Sequence, residues 1–132
     1  SKNPFTSYHS WYISQNLDVA KMNAAASLLI GKKDFTSFAK IHTDVSNHIC
    51  QLNYAKWVQK GNEIIFEIRA NRFLRNMVRA IVGTCVDVGI NKIELDEFKE
   101  IIEAKDRQQA SGSAPAKGLY LSKVSYDVEL KN

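Results

Sequence analysis

The sequence predicts an α+β domain in which helices pack on one face of an antiparallel, or mixed, β-sheet. Apolar residues recur at helical spacing in three separate stretches, and a pair of short apolar runs is split by Lys60-Gly61-Asn62. The resulting order is strand, helix, hairpin, helix, helix, strand, which suggests a layer of helices on an antiparallel sheet.

Each element has its own signal. Asp18 is placed to cap a helix through Val19, Met22, Ala25, Ala26, Leu29 and Ile30, with Gly31 placed to stop it. Ala24-Ala25-Ala26 makes that helix a close-packing one. Ile49, Gln51, Leu52, Tyr54 and Trp57 give one strand and Ile64, Ile65, Phe66 and Ile68 the next, joined by a short turn. The stretch from Leu74 to Val88 is the most strongly patterned, with Phe73, Met77, Ile81, Thr84, Cys85 and Val88 on one face of a core helix. Leu95, Phe98, Ile101 and Ile102 form a second amphipathic helix that ends in a polar run. Residues 110–118 have loop composition, and Leu119, Leu121, Val124, Tyr126 and Val128 give a final strand.

Composition sets the class. A chain of 132 residues, 45% hydrophobic and 24% charged, is enough for one globular core, so a single domain over 1–132 is expected. Eighteen basic residues against fourteen acidic ones give a net charge of +4, which permits a polyanionic partner without demanding one. Cys50 and Cys85 lie far apart with no CxxC pairing, so reduced, buried thiols are expected. No segment reaches the roughly 18 consecutive apolar residues of a membrane span. The start Ser1-Lys2-Asn3-Pro4 lacks a signal peptide's apolar stretch, and the chain reads as cytoplasmic.

Arg72, Arg75 and Arg79 fall three and four apart, which on a helix aims them the same way, with Gly83 one turn on. A solvated helix face is the plain alternative. Arginine in place of lysine, Asn76 among them and the bare backbone at Gly83 favour a ridge that holds phosphate or a buried acidic partner. His9, His42 and His48 are not at metal spacing, and the glycines are scattered singly, so neither a metal nor a nucleotide cofactor is expected. Phe35 and Phe38 read as core anchors in preference to base-stacking rings.

Three strings occur in order: Asp34-Phe35-Thr36-Ser37-Phe38, then residues 70–83 with their FLxxMVRxIVG core, then residues 114–121, APAKGLYL. Together they resemble the C-terminal half of TruA-type tRNA pseudouridine synthases, from about Trp11 to Tyr126. The resemblance implies a pseudouridine synthase-like fold and isomerisation of uridine to pseudouridine in the tRNA anticodon stem-loop. It also implies no metal or organic cofactor and an enzyme that is usually a homodimer. In the family the chemistry rests on an aspartate of the N-terminal half, inside an Arg-Thr-Asp-Ala-Gly-Val-His type string that this chain lacks. His42-Thr43-Asp44-Val45-Ser46-Asn47-His48 lacks both the leading arginine and the Ala-Gly, and is taken as coincidence. The chain is therefore expected to be a C-terminal half that needs the N-terminal half of the same enzyme and is inactive alone.

By the same resemblance Arg79 matches the arginine that pairs with the catalytic aspartate, and Leu119 an apolar residue that walls the target-base pocket. Phe73, Leu74 and Met77 match the hydrophobic part of the helix that carries Arg79. Arg72 stands where many members have glycine, so its contact with RNA, like that of Arg75, follows from its own chemistry. The rival readings are a non-catalytic RNA-binding or dimerisation module and a plain structural α+β domain.

Overall fold

Alternation along the hairpin decides which way the sheet faces. The computed structural model describes residues 5–13, 16–40, 45–110 and 121–129. The strands are β1 (Phe5–Ile13), β2 (Gly31–Asp34), β3 (Ile49–Lys60), β4 (Glu63–Ala70) and β5 (Leu121–Glu129). The α-helices are α1 (Val19–Ser27), α2 (Met77–Gly89) and α3 (Leu95–Ala104), and short 3-10 turns cover Thr36–Phe38 and Arg107–Gln109. The sheet runs β2-β3-β4-β1-β5, and every described pairing is antiparallel.

In β4, Ile64, Phe66, Ile68 and Ala70 are buried while Glu63, Ile65, Glu67 and Arg69 are only half-buried, so one face meets the core. β1 lies in register beside it, with Trp11 opposite Ile64 and His9 opposite Phe66, which puts Trp11 on that same face. An irregularity between Leu52 and Tyr54 resets the phase of β3. Cys50 and Leu52 are therefore buried before it and Trp57 after it, an alternation of the wrong parity for a regular strand. Trp57 stacks on Phe66 with ring centroids 4.4 Å apart. The hairpin closes with Lys60 opposite Glu63, and Gly61 takes φ +60°, the conformation a type II′ turn needs at its first central residue.

α1 is capped as the sequence predicts, with Asp18 Oδ1 accepting from the Lys21 amide at 3.1 Å. It ends at Ser27, short of Ile30, and the backbone turns at Gly31 (φ +114°) into the four residues of β2. β2 reaches only as far as Leu52 on β3. Beyond it Asn23 of α1 covers the strand edge: its Oδ1 accepts from the Trp57 amide (2.7 Å) and its Nδ2 donates to the Trp57 carbonyl (2.9 Å). α1 and α2 meet closely at Gly89, where an added Cβ would lie 2.6 Å from Met22 Sδ.

Phe35 and Phe38 are fully buried, and Phe38 lies 6.2 Å from Phe98 of α3, which makes them core anchors. Between them the Ser37 hydroxyl donates to the Ile101 carbonyl and accepts from the Asp106 amide, tying the 3-10 turn to the end of α3. Cys50 and Cys85 are free and buried. Burial pushes the Cys85 thiol up to about 12 and raises Cys50 as well. Among the described residues no helix is long and apolar enough to cross a membrane.

Candidate functional site

The arginines do not share one helix face. α2 starts at Met77, because Asn76 adopts the left-handed conformation (φ 65°) that ends the incoming loop. Arg72 and Arg75 lie in that loop, so the periodicity that aligned them with Arg79 does not apply. Gly83 is buried within α2 and offers no bare backbone patch to a ligand. Every other residue of α2 is buried too, and Arg79 alone is exposed.

Arg79 stands in the first turn of α2, a turn without any acidic residue. The helix dipole makes that end positive, so a cation there is opposed by roughly 0.3–1 kcal/mol. The side chain lies outside the packed core that holds the rest of α2.

Arg75 is exposed one residue before the left-handed Asn76. Its carbonyl accepts from the Lys40 amide at 3.0 Å, which joins the end of the DFTSF segment to the arginine loop. Lys40 is thereby tied to the loop that leads into the helix of Arg79. Arg72 has different work. Its guanidinium donates to Asn47 Oδ1 (3.3 Å), the Asn47 carbonyl (3.4 Å) and the Ile49 carbonyl (3.2 Å), bracing the entry to β3. The loop is further pinned by Asn71, whose amide donates to Gln51 O while its Oδ1 accepts from the Gln51 amide. Phe73 packs half-buried against the core, and Leu74 and Met77 are within it.

Leu119 and Asp44 lie outside the described residues, as does His42. His9 is buried, stacks on Trp11 at 5.6 Å and is bonded to Ser7. His48 lies against Thr36, with Nδ1 3.0 Å from the hydroxyl. Among the described residues no three His, Cys, Asp or Glu side chains gather as a metal site would need.

Sequence reasoning missed Lys40 and the Asp34, Thr36 and His48 cluster. The signal for the cluster was present: an aspartate two residues before a threonine forms a local turn in which its carboxylate takes both threonine donors. Lys40 left none, since it joins the arginine loop through a backbone amide that carries no residue-type information.

A helix-covered antiparallel sheet with one guanidinium displayed on an otherwise buried helix defines an α+β domain of the pseudouridine synthase type. The chain belongs to the tRNA pseudouridine synthase family, whose model matches residues 25–127. It is similar to the tRNA pseudouridine synthase A of Bacteroides fragilis, 47% identical over 130 residues that make up 98% of this chain and 52% of the relative. The protein of the same name from Parabacteroides distasonis is 46% identical over 129 residues, 98% of this chain and 51% of the relative. That from Borrelia turicatae is 38% identical over 124 residues, 94% and 51%. The chain spans about half the length of the curated relatives it matches.

Proposed function

We propose that the chain is the C-terminal half of a cytoplasmic, homodimeric enzyme that isomerises uridine to pseudouridine in the anticodon stem-loop of tRNA, without a metal or organic cofactor. The observation that carries this reading is Arg79, the one exposed residue of a buried helix, held where the helix dipole opposes it.

In this reading the nucleophilic carboxylate comes from the N-terminal half. The Arg79 guanidinium meets it through two parallel N–H donors, which fixes its direction. The same positive charge favours the ionised carboxylate, the form able to attack the base. Arg75 supplies charge for the RNA backbone beside it, while Arg72 acts chiefly by holding the loop at Asn47 and Ile49 in place. Leu119 walls the pocket for the target base.

The test uses tRNA tritiated at uridine C5, because pseudouridine formation must release that hydrogen to water. The chain alone is expected to release no tritium. Mixed with a separately made N-terminal half of the Bacteroides fragilis relative, it is expected to do so. Release by the chain alone would overturn the composite site and make Asp44 the first residue to mutate. Tight tRNA binding with no release from either mixture would instead mark a non-catalytic RNA-binding module.

A further inference from the structure

The Thr36 side chain allows its protons to be counted. Its amide and its hydroxyl both donate to Asp34 Oδ1, at 2.9 and 2.5 Å. Burial alone would raise the Asp34 carboxyl, but the two Thr36 bonds, helped by Lys105 and His48, outweigh it and hold the group below its ordinary value. It is therefore an anion at neutral pH and only accepts.

A hydroxyl has a single proton, and that of Thr36 is committed to Asp34. The Thr36 oxygen can then only accept from His48 Nδ1, 3.0 Å away, so the hydrogen of the neutral ring resides on Nδ1. Nε2 is left as a bare acceptor with no partner among the described residues. The ring is also held through its backbone. The His48 carbonyl accepts from the Phe35 amide at 2.8 Å, and Arg72 grips the residues on both sides, Asn47 and Ile49.

An acceptor fixed in this way is unusual company for the neighbouring Arg72, which can only donate. Phosphate oxygens are acceptors and are served by arginine and lysine. The one group of an RNA backbone that donates is the ribose 2′-hydroxyl. We propose that His48 Nε2 accepts a hydrogen bond from a ribose 2′-hydroxyl of the docked RNA, with Asp34 and Thr36 as the positioning residues that set its tautomer. This rests on the reading above that the chain docks tRNA.

The experiment takes the 132-residue chain and an anticodon-arm RNA in alkaline buffer, where imidazole is neutral. Nitrogen NMR is expected to show His48 protonated at Nδ1, and Thr36→Val to mix the two tautomers. In a scan of single substitutions in the RNA, one position is expected at which 2′-deoxy and 2′-O-methyl each weaken binding about tenfold, the scale of one net hydrogen bond. Both penalties are expected to vanish with His48→Phe. The scan is read on the unaltered protein, so it stands even where a variant folds poorly. A proton on Nε2, the absence of any such position, or penalties that persist in His48→Phe would each overturn the proposal while leaving tRNA docking intact. Failure of the unaltered chain to bind the RNA at all would remove both.

Discussion

Arg79 and Asp34 show two opposite uses of a charged side chain. Asp34 is charge in the service of the fold, since its anion collects the two donors of Thr36. Its pKa is lowered in the folded state, so its contribution is fully present above the ordinary carboxylate value of 3.8 and is lost as pH falls through the depressed one. Asp34→Asn keeps the acceptor and removes the charge. It is expected to cost about 1 kcal/mol at neutral pH, the excess of a charge-assisted bond over a neutral one. Urea unfolding at a series of pH values should show the gap between the two proteins closing on acidification, and a gap that widens there would refute the assignment. Arg79 is the charge that an otherwise buried helix displays. Arg79→Ala is expected to change the melting temperature little, because the side chain is exposed, while lowering the turnover of the reconstituted enzyme about 100-fold, as loss of a well-placed charge partner does. Melting curves beside separate kcat and KM values would check it, and a pure KM effect would contradict the orienting role.

At the scale of elements, α1 and α2 are locked by the absence of a side chain. Propensity alone would favour Gly89→Ala by up to about 1 kcal/mol. The new Cβ would however meet the fully buried Met22, so we expect a net loss of about 1–2 kcal/mol. Adding Met22→Ala should cost less than the sum of the two single changes, which a double-mutant cycle in denaturant would measure.

Elements also mark how far the sequence could be read. β4, the turn at Gly61 and the cap of α1 were legible because alternation and turn chemistry are regular there, whereas the irregularity between Leu52 and Tyr54 hid the phase of β3. β1 carries Thr6, Ser7, His9 and Ser10 at or near buried positions, so its hydrophobic signal is faint, although the element order included a leading strand. β2 has no strong apolar residue and is set only by its pairing with β3. The three arginines looked like a helix ridge because their spacing is helical. Asn76 in the left-handed region breaks that phase, and nothing in an Asn-Met pair announces it.

On the scale of the whole molecule, a net charge of +4 gives only a modest field, and what matters is where the cations gather. Binding of an anticodon-arm RNA by the chain alone should be weak and should fall with salt as counterions are released. Arg75→Ala is expected to flatten the slope of log affinity against log salt by roughly 0.8, one phosphate contact's worth. Arg72→Ala should mainly lower stability, since its donors are spent on Asn47 and Ile49. Fluorescence titrations at several salt concentrations would separate the two, and an unchanged slope in Arg75→Ala would remove Arg75 from the interface. Of the candidate site, the sequence made Arg79 legible as a cation on the α2 segment, while Leu119 lies outside the described residues and the family's aspartate string is absent from these 132 residues.

The place of β1 in the sheet has a kinetic meaning. It emerges first in these residues but lies between β4 and β5, with Tyr8 opposite both Glu67 and Tyr126. The β3–β4 hairpin can close across two residues, whereas β1 must wait for partners far along the chain, and the entropy of those closures falls on a strand that is paired on both sides. Loop-closure entropy therefore favours a hairpin that forms before the β4–β1–β5 seam closes, and φ-values higher in β3 and β4 than in β1 are the expected signature.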